Sequence, residues 1–251
     1  MLGFNGGLMG IRRTPTTNAA SGLWFQNEQS VARRAAIWPT TGDPYWNDVS
    51  LLLHMDGSNG STTFTDSSST PKTITVNGNS QISTAQSKFG GASGLFDGSG
   101  DYLEEAGLTL GTSDFTMECW VRLASITDCA IFNQGNSDST GSYCLAVNSA
   151  NGKVYFYADN SSRFSSVGAL SVDTWSHVAL VRAGNDYKLF IDGTLDGSYT
   201  GTHNHSNTPF KIAKGFGGIA ELNGYIDETR ITTVARYAAN FTPATAAFPN
   251  G

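Results

Sequence analysis

The 251-residue chain has little charge, little proline and almost no cysteine: Asp, Glu, Lys and Arg together make up 14%, proline occurs 7 times and cysteine 3 times. A charge content this low excludes a coiled coil, which needs about half Ala, Glu, Lys, Leu and Arg, and 39% hydrophobic residues exclude a chain too polar to fold. No apolar run approaches the roughly 18 to 20 residues of a membrane-spanning helix, so no membrane partner is expected. Cys119, Cys129 and Cys144 are odd in number and lack CxxC spacing. They suggest neither a disulfide framework nor a zinc knot, and buried free thiols are expected instead. Fifteen Lys and Arg against 21 Asp and Glu give a net charge of -6, which leaves no field to attract nucleic acid. The opening MLGFNGGLMGIRRTP lacks a basic segment followed by an apolar stretch of about 7 to 15 residues, so no signal peptide is expected and assembly should occur in the cytoplasm.

What is abundant is glycine, 29 residues, and short apolar runs between polar turns. Residues 1–46 differ in kind from the rest. They hold Arg12, Arg13, Arg33 and Arg34 against Glu28 and Asp43, a balance of +2, while the remaining 11 basic and 19 acidic residues give -8. Neither a period of 2 nor one of 3.6 is sustained there, apart from a short helix expected near residues 27–36. Trp24, Phe25 and Trp38 need a surface to cover them that this segment cannot build alone. The reading is an extended docking arm over residues 1–46, contacting a partner through these aromatics and the two arginine pairs.

Residues 47–251 read as strands throughout. VSLLLHM, KTITV, GLFDG, DYLEE, FTMECWVRL, CAIFN, YCLAV, KVYFYA, WSHVALVRA, YKLFIDG, FKIAK and LNGYIDETRI recur between Gly, Asn, Asp and Ser clusters. Within 115–123, Phe115, Met117, Cys119, Val121 and Leu123 fall on one face, and Thr116, Glu118, Trp120 and Arg122 on the other. Asn151-Gly152 and Asp192-Gly193 have the chemistry of tight hairpin turns. The fold class is therefore all-β, an antiparallel β-sandwich or jelly roll preceded by the arm.

Four stretches, in order, resemble the laminin-G-like members of the concanavalin A-like lectin and glucanase superfamily: LLLHMDGSNGSTTFTDSSS at 51–69, FDGSGDYLEEAGLTLGTSDFTMECWVRL at 96–123, WSHVALVRAGNDYKLFIDGTL at 175–195 and LNGYIDETRI at 222–231. The segment ARYAANFTPATAAFP and the arm resemble parts of tailed-bacteriophage virion proteins. The resemblance implies a non-enzymatic virion protein, a tail-fibre or baseplate appendage or a capsid decoration, attached to other virion proteins by its arm. It also implies a homo-oligomer, a trimer being common among phage appendages, and a host-surface polysaccharide as the ligand of the lectin-like sandwich. A free carbohydrate-binding or adhesion module is the alternative, and a glycan hydrolase a further one.

Residue chemistry bears on each reading. Retaining glycosidases need two carboxylates about 5 to 5.5 Å apart, and no Glu-x-Asp-x-x-Glu strand occurs; Glu104-Glu105 and Asp227-Glu228 are adjacent and face opposite ways. No catalytic residue and no required cofactor is expected. A sugar ring stacks on an exposed aromatic while amides and carboxylates bond its hydroxyls, so Trp120 with Glu118 and Arg122 on its strand face, and Asn133, Gln134, Asn136 and Asp138 in FNQGNSDST, are candidate carbohydrate ligands. Core packing of the aromatics is the competing assignment. The resemblance implies a structural calcium, with Asp56 and Asp227 at positions similar to ligands of the family; turn capping by Asp56 and a salt bridge from Asp227 to Arg230 are the alternative. His203 and His205, two apart in THNHSNTP, suit either a transition-metal pair or a polar hairpin tip.

Overall fold

The computed structural model describes residues 42–135 and 139–251. The chain divides into two units, one of residues 48–248 and one of residues 1–47 with 249–251. In the described part of the second, the Asp43 carboxylate accepts a hydrogen bond from the Tyr45 backbone at 2.8 Å.

Residues 48–248 form fifteen strands: β1 (Val49–Leu53), β2 (Thr75–Asn77), β3 (Gln81–Ser83), β4 (Ser93–Asp97), β5 (Tyr102–Glu105), β6 (Phe115–Leu123), β7 (Cys129–Gln134), β8 (Tyr143–Val147), β9 (Lys153–Ala158), β10 (Ser161–Ala169), β11 (Trp175–Ala183), β12 (Asp186–Ile191), β13 (Thr194–Thr200), β14 (Phe210–Ile212) and β15 (Asn223–Thr232). They make an antiparallel sandwich of two sheets. The eight-stranded sheet runs β13-β12-β11-β6-β15-β4-β3, with β1 also on β15; the seven-stranded sheet runs β10-β9-β8-β7-β14-β5-β2. β15 is shared: Asn223 to Ile226 pair with β4, and Thr229 to Thr232 pair with β1. The changeover falls on Asp227-Glu228, where the ladder to β6 shifts register and Glu228 adopts φ 50°.

Alternation determines what each sheet contributes to the core. On β6 the set Phe115, Met117, Cys119, Val121 and Leu123 packs inward against Leu145, Phe156, Phe132 and Phe210 of the facing sheet's strands. All three cysteines are buried free thiols. The turn between β12 and β13 needs Asp192-Gly193, at φ 48° and 76°, the left-handed pair of a tight hairpin. A side chain at Gly193 would also collide with the Phe241 carbonyl at 2.0 Å.

That collision reflects the second structural device, a strap of residues 233–248 across the outside of the eight-stranded sheet. Tyr237 and Phe241, stacked with centroids 3.5 Å apart, pack on Ala179, Val181 and Phe190. Beneath the strap lies Glu118. Its Oε1 accepts from Arg230 Nε at 2.9 Å and Nη2 at 2.8 Å, while Oε2 lies 3.1 Å from His177 Nε2 and accepts from the Tyr237 hydroxyl at 2.9 Å. Burial alone would raise the Glu118 pKa, but the Arg230 guanidinium, with His177 and Arg236, overrides it and holds the carboxyl well below the usual range.

A carboxyl depressed in the folded state contributes stability that is present above its ordinary value near pH 4.5 and lost as pH falls through the folded value. Glu118→Gln keeps the shape but leaves the Arg230 charge buried without its partner. The expected cost is about 3 to 5 kcal/mol in urea denaturation, with a flatter loss of stability between about pH 5 and 2.

Candidate functional site: the outer face of the seven-stranded sheet

The strap covers part of the outer face of the eight-stranded sheet. Trp120, Glu118 and Arg122 share the outer face of β6, where a sugar platform and packing of the aromatic were the competing assignments. The structure shows packing: Glu118 is fully buried, and Trp120 is 6% exposed, with His177 edge-on at 5.2 Å, Phe89 at 5.8 Å and the Lys88 ammonium 3.8 Å over its ring. Arg122, half-buried, pairs with Asp173 at 2.9 Å. The reason is that segments distant in sequence, 85–92 and 233–248, fold over this side.

The outer face of the seven-stranded sheet is different. Cross-strand register aligns Ser162, Tyr157, Cys144, Asn133, Lys211, Glu104 and Thr75 in one row over all seven strands. At about 4.8 Å between neighbours that row spans roughly 29 Å. Its floor is made of small side chains, Ala130, Cys144 and Ala146, and on one side stand Tyr155 and Tyr157, the outward residues of β9. A loop of residues 213–222 covers the floor with Phe216 and Ile219. Between this loop and the edge strand lies a cleft of about 310 Å³ lined by Asn148, Tyr155, Tyr157, Ser162, Ser165 and Phe216, with no Asp, Glu, Lys or Arg among its lining residues.

The cleft is fixed by its own contacts. The Tyr155 hydroxyl donates to Asp128 Oδ1 at 2.8 Å, and Tyr157 meets Phe216 edge-on at 6.1 Å. Beyond the loop, Lys211 lies 3.9 Å from Glu104, Lys214 pairs with Glu221, and both ammonium groups stand over Tyr102. Two aromatic faces beside an amide and two serine hydroxyls are the groups that bind an uncharged polyol, apolar face on rings and hydroxyls on amides.

Asn133 and Gln134, expected in a loop, are strand residues of β7 and fully buried. Gln134 turns inward and donates to the Leu108 carbonyl at 3.0 Å. Asn133 sits in the outer row, and neither its Oδ1 nor its Nδ2 has a protein partner. Asn136 and Asp138, and the arm residues Arg12, Arg13, Trp24, Phe25, Arg33, Arg34 and Trp38, with the helix read near 27–36, lie outside the described residues. Residue-by-residue reading missed Tyr155, Tyr157 and Phe216. The alternation Lys153, Tyr155, Tyr157 against Val154, Phe156, Ala158 carries a signal for the first two, since it puts both tyrosines on the polar face.

Asp56, just after β1, and Asp227, at the bulge of β15, come near one another because β1 pairs with β15. Asp227 Oδ2 accepts from the Lys88 and Phe89 backbones, its Oδ1 is buried without a protein partner, and burial, with Glu228 and Asp56 nearby, pushes its pKa up to about 7. Glu228 is taken by His54 at 2.9 Å and the Phe248 backbone at 2.8 Å. The expected alternative, a bridge from Asp227 to Arg230, is not formed, because Arg230 turns to Glu118. Among the described residues no group of three or more His, Cys, Asp or Glu is placed to hold a metal ion. With Asp56, Asp227 Oδ1 offers fewer carboxylate oxygens than the six to eight oxygen ligands a calcium ion takes, so backbone carbonyls or water would have to complete such a site.

His203 and His205 are neither a metal pair nor a polar tip. Both are buried, His203 against Asp159 and His205 2.9 Å from the Tyr187 hydroxyl, and burial depresses the His205 pKa to about 3.

Two antiparallel sheets with one strapped and one grooved outer face define a lectin-like jelly roll. The chain belongs to the concanavalin A-like lectin/glucanases superfamily, whose profile matches residues 97–240. Among curated proteins, none matches. Of solved structures, domain 4 of AbnA, a GH43 extracellular arabinanase from Geobacillus stearothermophilus, in complex with arabinotriose, is 17% identical and has a TM-score of 0.58 over 75% of this chain and 93% of that one. The botulinum neurotoxin serotype C1 binding domain is 12% identical with a TM-score of 0.56, over 76% of this chain. A structure of botulinum neurotoxin type C, described as dependent for cell entry on two ganglioside molecules, is 12% identical with a TM-score of 0.54 over 76% of this chain. This chain spans about half the length of the two neurotoxin chains, 50% and 49%. At these identities the likeness concerns the fold.

Proposed function

We propose that this protein is a non-catalytic glycan-binding component of a tailed-bacteriophage virion. Its ligand is an uncharged sugar of a host-surface polysaccharide, held in the cleft between Tyr155, Tyr157 and Phe216. The observation that carries the binding reading is this cleft, where aromatic faces meet an amide and hydroxyls with no ionised side chain in the lining. The arabinotriose and ganglioside named for relatives of the fold agree with a sugar as ligand class. Binding without cleavage is supported by the nearby carboxylates, each engaged elsewhere: Asp128 with Tyr155, Glu221 with Lys214 and Glu104 with Lys211. The virion assignment rests on the resemblance of ARYAANFTPATAAFP and of the aromatic arm 1–46 to phage proteins; attachment through the arm and trimeric assembly belong to it. A calcium ion between Asp227 Oδ1 and Asp56 would tie the bulge of β15 to the end of β1 and serve stability, on the side of the sandwich away from the cleft's sheet.

Three measurements check these readings. Calorimetric titration of neutral oligosaccharides found on a glycan array should show binding that Tyr157→Ala weakens by about tenfold or more, and that hardly changes between low and high salt. Binding only to acidic glycans, with a steep salt dependence, would refute an uncharged ligand. Millimolar Ca²⁺ should raise the melting temperature of the wild type and leave Asp227→Asn where it was; equal responses exclude the site. Deletion of residues 1–46 should abolish incorporation into particles while the sandwich stays folded, and normal incorporation would remove the docking role.

A further inference from the structure

Asn133 is the most exceptional residue on the binding face. Buried amides are almost always hydrogen-bonded, and one left with both polar atoms unmatched opposes folding. Here Oδ1 and Nδ2 both lack a protein partner in a fully buried side chain. Its neighbours in the outer row are Cys144 on one side and Lys211 on the other, so the amide stands at the edge of the small-residue floor, two strands from Tyr157 of the cleft.

What covers that floor is a short segment with few attachments of its own. The neck of the loop is closed by Leu222 N donating to the Ala213 carbonyl at 3.0 Å and by the Lys214–Glu221 pair; Ala220 bonds Asp128 and Ala130 at 2.8 and 3.1 Å. Between them, residues 215–219 read Gly-Phe-Gly-Gly-Ile, and Gly217 and Gly218 lie at φ 61° and 96°, backbone that only glycine adopts without strain. The tip is held to the sheet by Phe216 and Ile219, packed on Ala130, Cys144 and Ala146. Phe216 therefore occupies apolar space on the floor of the row, next to two tyrosines and on Cys144, the cross-strand neighbour of Asn133.

We infer that residues 215–219 form a lid, which swings about the neck at 213–214 and 220–222 to let a sugar ring replace Phe216 on the floor, where the Asn133 amide bonds its hydroxyls. This rests on the glycan reading above and deepens it. The open cleft is the entry, and the specificity-determining group is the Asn133 amide, across the ladder from Cys144 under the lid. An amide presents one acceptor and two donors, which match adjacent hydroxyls of an uncharged sugar and reject an analogue lacking one of them. The side chain is unmatched in the free protein because its partner is the ligand.

Two readouts test this separately from glycan binding as such. Asn133→Leu replaces an unmatched amide with an apolar group of similar size, so its melting temperature should equal or exceed that of the wild type, while affinity for the neutral glycan falls about tenfold or more. Lid motion is read on the full-length protein by a neutral thiol reagent and peptide mapping. Cys144, on the floor, should react about tenfold faster than Cys119 and Cys129 between the sheets, and faster again in Phe216→Ala. If the wild type binds no neutral glycan, the function above fails, and Cys144 labelling still judges the lid. If Tyr157→Ala loses binding but Asn133→Leu keeps it, or if Asn133→Leu lowers the melting temperature, the role of Asn133 is overturned. Equal, slow labelling of the three thiols overturns the lid.

Discussion

The eight-stranded sheet and its strap are tied together by one buried carboxylate. Glu118 lies in the middle of β6, and a lone ionised group there would be prohibitively costly to desolvate. Arg230 from β15, His177 from β11 and Tyr237 from the strap meet it, so one side chain joins three adjacent strands to the C-terminal segment. The hub fixes the register of the central strands and holds Tyr237 and Phe241 over Phe190. It also buries the centre of the outer side of the eight-stranded sheet, around Glu118, Phe190 and Trp120. The cleft lies on the seven-stranded sheet.

Single polar atoms are buried unmatched elsewhere in the sandwich, the Tyr143 hydroxyl and Thr229 Oγ1 among them, but at Asn133 both amide atoms are unmatched, in the middle of a row, and Phe216 is pressed onto small side chains nearby from a glycine-rich loop. Local inconsistency of this kind is where ligand chemistry is to be sought. Gln134, one residue on, faces inward and donates through Nε2 to the Leu108 carbonyl, with its Oε1 unmatched.

Much of the architecture was legible in the sequence because strands with one buried face alternate. The two faces of 115–123 divide as period 2 dictates, and the hairpin at Asp192-Gly193 follows from its turn chemistry. Three strands escaped notice: Gln81–Ser83, Ser161–Ala169 and Thr194–Thr200. The last two are edge strands with polar, mostly exposed faces, and nothing in SSRFSSVGA or TLDGSYT alternates strongly enough to mark them. The site was less legible than the fold. Trp120 and Glu118 look like an exposed platform on β6 in isolation, and only residues more than 100 positions away, Arg230 and Tyr237, reveal that the hub is buried. Asp56 and Asp227 were named together because both resemble ligand positions of the family, and the pairing of β1 with β15 brings them near one another. The Tyr155 and Tyr157 face was present as alternation, while the lid required the path of a loop.

The most direct measurement is the structure of the protein soaked with a neutral oligosaccharide that it binds in solution. The account predicts sugar density stacked on Tyr155 and Tyr157, with Phe216 displaced and the Asn133 amide on a hydroxyl. Sugar bound instead at the loops around Asp56, or against the strapped face near Trp120, with residues 215–219 unmoved, would contradict it.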